Sequence, residues 1–126
     1  MYEERIRCPQ LMNRIMSAEQ AASLIKDGMI IGTSGFTPSG YPKAIPLALA
    51  DQIKRTGKKL SIDLLTGASV GDELDGALTE VGAIRRRSPY QTNTTIRKQV
   101  NTYDSIQFID EHLSLAAQKV RYGFYG

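Results

Sequence analysis

The chain has 126 residues and a mass of 13.9 kDa, the size of one domain or of part of one. Hydrophobic residues make up 41% and charged residues 23%; no stretch of 18 apolar residues offers a spanning helix, and no short apolar run follows a basic start, so neither membrane insertion nor a secretory leader is expected. The net charge is only +3, and the single cysteine, Cys8, excludes an internal disulfide and a Cys-rich zinc site, so a cytoplasmic location is expected.

Ser17 followed by Gln20 has the spacing of a capping box, and Ala18, Ala22 and Ile25 then recur on one helical face, closed by Asp27-Gly28. Met29-Ile30-Ile31 is short, β-branched and flanked by breakers, and reads as a buried strand. Residues 32–42 form a loop rich in Gly, Ser, Thr and Pro. Ile45, Leu49 and Ile53 mark the next helix. Pro46 would clash with the carbonyl of residue 42 inside a regular helix, so the regular part is predicted to start near Pro46, with Pro42 in the turn before it. Lys54 and Arg55 suit its C-terminal dipole, and Gly57 stops it.

Residues 60–66 read as a second strand and 67–75 as a second small-residue loop, followed by a short helix over 76–81 that ends at Gly82. Asp72, Glu73 and Asp75 before that helix are explained by N-terminal capping more simply than by a cation site. A third, more polar strand covers 83–90. Its Arg85-Arg86-Arg87 run reads as a solvated strand edge or a subunit contact; nucleic-acid binding would need charge gathered on one face with stacking aromatics, and none is expected. Asn93 caps a helix carrying Ile96, Val100 and Tyr103, residues 106–109 form a further strand, and a last helix takes Leu113, Ala117 and Val120.

Strands alternating with helices predict an α/β fold: an open, mainly parallel sheet with right-handed crossover helices. In such sheets the loops after the strand C-termini line the binding crevice, and here those loops are rich in Gly, Ser and Thr. The alternation calls for another strand after the last helix, and the aromatics of 122–126 need a surface to pack on. Residues 1–126 are therefore expected to be the N-terminal part of a longer enzyme and an incomplete domain.

The loop from Gly32 to Gly40 can bring backbone N–H groups to an anion. Gly35 and Gly40 have the Walker A spacing, but Tyr41-Pro42 stand where Lys-Ser/Thr belong, and G-x-G-x-x-G is absent. On spacing alone, a tight turn without a ligand fits as well as a binding loop.

Ser34-Gly35-Phe36-Thr37-Pro38-Ser39-Gly40-Tyr41-Pro42-Lys43 resembles the Gly-Phe loop of the acetyl-CoA hydrolase/transferase family, part of the class I CoA-transferases, which includes succinyl-CoA:acetate and propionyl-CoA:succinate CoA-transferases. Leu65-Thr66-Gly67-Ala68-Ser69, Arg86-Arg87-Ser88-Pro89-Tyr90-Gln91 and His112-Leu113-Ser114 resemble family segments in the same order, and Tyr122-Gly123-Phe124-Tyr125-Gly126 is similar as well. The resemblance implies transfer of coenzyme A between short-chain acyl-CoA and carboxylic acids (acetate, succinate, propionate) through a glutamyl-CoA thioester. The family's nucleophilic glutamate and most of its CoA pocket lie in a C-terminal half outside these residues, and Glu73, Glu80 and Glu111 do not stand in that motif. The fragment alone is thus expected to be inactive, with CoA thioester as substrate, no permanently bound cofactor and no metal.

The resemblance further implies substrate-binding positions at Ser34, Gly35, Phe36, Thr37, Gly40, Thr66, Gly67, Ala68 and Ser69, although Thr66-Gly67-Ala68-Ser69 reads somewhat better as a loop made small so that two backbones can pass. Phe36 reads equally as an apolar wall of the site and as a core residue. His112, the only histidine, reads as an oxyanion donor or as a helix-start residue. Tyr90 and Gln91 read as site or interface residues. The expected partners are acyl-CoA, small carboxylates, the missing C-terminal half and further copies in a homo-oligomer. Acetyl-CoA hydrolase is the alternative within the family; a non-catalytic assembly module, or one binding a sugar phosphate or nucleotide, is the alternative outside it. The open sheet edge of such a piece predicts self-association or poor solubility of isolated residues 1–126. A sharp monomer peak in sizing chromatography would contradict that.

Overall fold

The computed structural model describes residues 2–69, 71–103 and 105–126; Val70, in the second loop, lies outside them. Two short 3₁₀ segments, Tyr2–Arg5 and Pro9–Arg14, lead in. The main elements are α1 (Ala18–Ser23), β1 (Ile30–Gly32), α2 (Ala44–Thr56), β2 (Ile62–Thr66), a π turn (Asp72–Gly76) running into α3 (Ala77–Glu80), β3 (Ile84–Pro89), α4 (Thr94–Tyr103), β4 (Gln107–Phe108) and α5 (Leu113–Arg121). Among the described residues the sheet has four parallel strands in the order β1-β2-β3-β4, the α/β sheet with crossover helices expected above. No helix among the described residues is long and apolar enough to cross a membrane.

Consecutive strand order with right-handed crossovers puts the intervening helices on one face. The core lies there: Ala22, Leu49, Leu78 and Ile96 from four helices close over Ile62, Leu64 and Ile84 of the strands. Full burial of such a Leu or Ile contributes about 1.5–3 kcal/mol. The second face is crossed by α5 and the C-terminal residues. Asp63, which alternates with Ile62 and Leu64 and so points to this face, takes Arg85 Nε at 2.7 Å and Arg86 Nη2 at 2.7 Å. Arg86 also donates to the Tyr125 carbonyl at 2.7 Å. The Tyr125 hydroxyl and Lys119 Nζ both donate to Glu111, beside Ser88 Oγ.

The helix signals act as read. The Ser17 side chain accepts from the Gln20 N–H and the Gln20 side chain from the Ser17 N–H. Asn93 Oδ1 accepts from the Thr95 and Ile96 N–H groups. Several boundaries and burials differ. Helix α1 leaves at Leu24, and Gly28 (φ +79°) shapes the turn into β1 instead. Helix α2 starts at Ala44, because Pro46 sits in the first turn, where its missing N–H has no helical acceptor and residue 42 lies outside the helix. Strand β1 is the sheet edge, not a buried strand, and Ile30 is 39% exposed. Tyr103, Leu113 and Val120 are exposed as well.

The arginine run is the largest correction. It lies in β3, an inner strand, and not at an edge. A register shift pairs Ile62 with Ile84 but Asp63 with Arg86, so Arg85 is an extra residue and both it and Arg86 reach Asp63. Arg87 then falls on the helix face, fully buried.

Burial by itself would raise the Glu111 carboxyl, but the bonds from Lys119 and Tyr125 outweigh it and hold the group below its ordinary value. The native state therefore gains over the unfolded chain above about pH 4.5, and loses that gain as pH falls through the depressed pKa. Thermal melting of the Lys119→Met variant should accordingly fall less steeply than that of the parent between about pH 6 and about pH 3. Coincident slopes would show that this cluster does not titrate with folding.

Candidate functional site

Parallel pairing of β1 and β2 brings two loops out of the sheet side by side. The pairing continues past the strands: the Thr33 N–H donates to the Leu65 carbonyl (2.9 Å), Phe36 bridges Ala68, and the Thr37 N–H donates to the Ala68 carbonyl (3.0 Å). Two glycines permit this approach. A Cβ at Gly35 would overlap Thr66 Oγ1, and one at Gly67 would overlap the Gly35 carbonyl oxygen. In the seam between them Thr66 Oγ1 donates to the Ser34 carbonyl at 3.2 Å.

The first loop then folds back on itself. Thr37 takes φ +55°, and Gly40 lies so close to Phe36 that a Cβ there would stand 2.6 Å from the Phe36 carbonyl oxygen. Thr37 Oγ1 is 3.2 Å from Ser39 Oγ, and Lys43 Nζ donates to the Pro38 carbonyl at 2.6 Å. Buried Tyr41 anchors the loop by donating its hydroxyl to Glu73. That bond, and then burial, push the phenol up to about 12, and the same bond holds the Glu73 carboxyl below its ordinary value.

At the strand C-termini a cavity of about 480 Å³ opens, a small-molecule size. Ser34, Thr66 and Gly67 line it from the two loops, Pro89 from β3, and Leu113 and Tyr125 from the C-terminal region. Gly35 and Ala68 form the seam behind. Phe36 is 66% exposed and is no core residue. Ser69 turns away from the crevice: its hydroxyl is fully buried, donating to Asp75 at 2.6 Å and accepting from Arg87 at 3.1 Å.

His112 and Tyr90 lie at the same rim, one strand further along, where they share a neighbouring depression with Asp110. His112 starts α5: its Nδ1 accepts from the Ser114 N–H and lies 2.7 Å from Ser114 Oγ, while the ring stays exposed. Gln91 ties strands together, its Nε2 donating to the Arg87 carbonyl at 3.1 Å and reaching the Ile109 carbonyl at 3.5 Å.

The acidic group before α3 makes no side-chain cap: the N-cap positions are Gly71 for the π turn and Gly76 for α3. Asp72 instead accepts from Asn93 Nδ2 (2.8 Å), Glu73 from Tyr41, and Asp75 from Ser69 and Arg87. Among the described residues no group of three His, Cys, Asp or Glu could hold a metal. Sequence reasoning passed over the Tyr41–Glu73 and Asp75–Arg87 pairs. The available signal was a carboxylate inside an apolar segment, Leu74-Asp75-Gly76-Ala77-Leu78.

Residues 2–126 match the family described as Acetyl-CoA hydrolase/transferase N-terminal domain. The chain is 44% identical over 120 residues to the succinyl-CoA:acetate CoA-transferase of Clostridium kluyveri, covering 95% of this chain and 22% of that protein. It is 42% identical to the propanoyl-CoA:succinate CoA transferase of Escherichia coli, over 88% of this chain and 23% of that one. It is 36% identical to the acetyl-CoA hydrolase of Saccharomyces cerevisiae, over 99% of this chain and 24% of that protein. The chain thus spans about a quarter of the length of these relatives.

The seam makes a sharp distinction between glycines. Gly67→Ala should destabilise the fold by about 1–3 kcal/mol by forcing the loops apart. Gly32→Ala, whose added Cβ meets nothing within 4 Å, should be close to neutral. Equal denaturation midpoints for the two variants would contradict the close approach.

Proposed function

Because the chain belongs to the acetyl-CoA hydrolase/transferase N-terminal domain family, we propose that it is the N-terminal part of an enzyme that moves coenzyme A between short-chain acyl-CoA and carboxylic acids such as acetate, succinate and propionate. The identity to two CoA-transferases, 44% and 42%, against 35–38% for the acetyl-CoA hydrolases, carries the preference for transfer.

In this reading a glutamate carboxylate outside residues 1–126 attacks the thioester carbonyl. An acyl-glutamyl anhydride forms and CoA leaves as thiolate. The thiolate attacks the glutamyl carbonyl, releasing the first acid and leaving glutamyl-CoA; the second carboxylate reverses both steps. Each step passes a tetrahedral oxyanion, which fixed N–H donors stabilise more than the ground state. The contribution of this chain is the rim: Ser34, Gly35, Thr66, Gly67 and Ala68 offer backbone and hydroxyl groups to the acyl or carboxylate end, with Phe36 as an apolar wall and Thr37 and Gly40 shaping the loop. Ser69 supports the second loop from inside, and Tyr90, Gln91 and His112 border the site, His112 as a candidate oxyanion donor. The whole protein would act in the cytoplasm as a homo-oligomer, on CoA thioesters and without a permanent cofactor.

Hydrolysis is the second reading, supported by the acetyl-CoA hydrolases among the relatives. It differs only in letting water resolve the glutamyl thioester. Acetyl-CoA consumption by the full-length protein, measured with and without succinate, separates the two. Transfer predicts succinyl-CoA formation and consumption that depends on succinate; CoA release indifferent to the acceptor means hydrolysis. Residues 1–126 alone should do neither, and borohydride treatment of the acyl-CoA-loaded full-length protein should reduce one glutamate outside them. An active fragment would overturn the division of labour.

A further inference from the structure

Arg87 has no part in the chemistry above, yet its side chain is wholly shielded from solvent. Its pairing with Leu64 turns it to the helix face, under the π turn. Every guanidinium N–H is engaged. Nε donates to Asp75 Oδ1 at 2.8 Å. Nη1 donates to the carbonyls of Thr66 (3.0 Å) and Ser88 (2.8 Å). Nη2 donates to the Gly67 carbonyl (3.0 Å), Ser69 Oγ (3.1 Å) and Asp75 Oδ2 (3.1 Å). Asp75 alone would balance the charge. The grip on Thr66 and Gly67 goes beyond that need, and it falls on the loop that lines the cavity.

A trans peptide directs its N–H opposite to its carbonyl. With the oxygens of Thr66 and Gly67 held toward the guanidinium, the N–H groups of Gly67 and Ala68 are turned away from it. The first loop lies on that outer side: a Cβ at Gly35 would stand 3.3 Å from the Gly67 nitrogen, and Phe36 bridges Ala68. We propose that Arg87 is a positioning residue of the crevice: by holding the Thr66 and Gly67 carbonyls it keeps the second loop seated against the first, and so keeps Thr66 and Gly67 in place on the cavity wall where the substrate is held. The consequence for turnover rests on the CoA-transfer reading; the hold on the loop does not. Lysine could pair with Asp75 as a point charge but could not fork to three carbonyls and a hydroxyl.

The test uses the full-length protein, its Arg87→Lys variant and, should that one fail to fold, Asp75→Asn, which keeps the shape and removes the charge. Two readouts are taken on folded protein: kcat and KM for acyl-CoA with succinate or acetate, and amide hydrogen exchange at Gly67 and Ala68. The proposal expects kcat to fall by about 100-fold with KM for the thioester changed less than about threefold, and exchange at both amides to rise at least about tenfold. Parental kcat per folded molecule, whatever the loss in melting temperature, would reduce Arg87 to a structural role and overturn the proposal. Should the parent itself neither transfer nor hydrolyse, the CoA-transfer reading fails and amide exchange decides alone: parental exchange rates overturn the hold on the loop, and raised rates sustain it.

Discussion

A guanidinium shut away from water is tolerated only when each N–H meets an acceptor, and in this fold that demand falls on Arg87. Meeting it shapes three separate pieces of chain. The second loop must turn its carbonyls inward, β3 must turn back the carbonyl of Ser88, and the chain before α3 must widen into a π turn that delivers Asp75. Breaking such a buried pair from one side costs about 3–5 kcal/mol, yet replacing both partners with well-packed apolar groups is often neutral. Stability alone therefore does not call for a charge here. Apolar side chains cannot orient a carbonyl, and the orientation of two peptide planes at the rim is what the pair adds.

The same economy runs through the sheet. Consecutive parallel strands send every strand-to-helix loop to one rim and the intervening helices to one face, so site and core are separated by direction along the strands. The second face is organised by charge: Asp63 collects two arginines, one of which also holds the Tyr125 carbonyl, while Glu111 collects Lys119 and Tyr125. This polar lattice holds α5 and the C-terminal residues over the sheet while Val120, Tyr122 and Phe124 stay exposed.

Local signals carried most of the fold. The capping box at Ser17, the cap at Asn93 and the glycine stop at Gly57 each depend on neighbours within four residues, and each acts as its sequence reads. The rim position of the two small-residue loops follows from strand and helix alternation alone. The fate of 85–87 was not legible, because one extra residue at Arg85 decides which arginine faces which side, and no periodicity announces a bulge. A partial signal was present: an inner parallel strand is covered on both faces, so three successive arginines cannot all reach water, and Asp63 among Ile62, Leu64 and Leu65 marks where a buried partner waits. The inward turn of Ser69 was hidden for the same reason, since its partners Asp75 and Arg87 are 6 and 18 residues away.

Carboxylate chemistry also limits what these residues contribute to the proposed reaction. A carboxylate that accepts strong hydrogen bonds is stabilised as an anion and is a weaker nucleophile for it. Glu73 is committed to Tyr41 and Glu111 to Lys119 and Tyr125, and both are held below the ordinary carboxylate range. Glu80 lies on α3 with Lys54 3.8 Å away, on the helix face and not at the rim. None of the three is poised to attack a thioester in the crevice, and among the described residues no carboxylate lines the cavity wall that the two loops form. A cavity wall without its own carboxylate fits the proposal that the attacking glutamate is supplied from elsewhere in the protein.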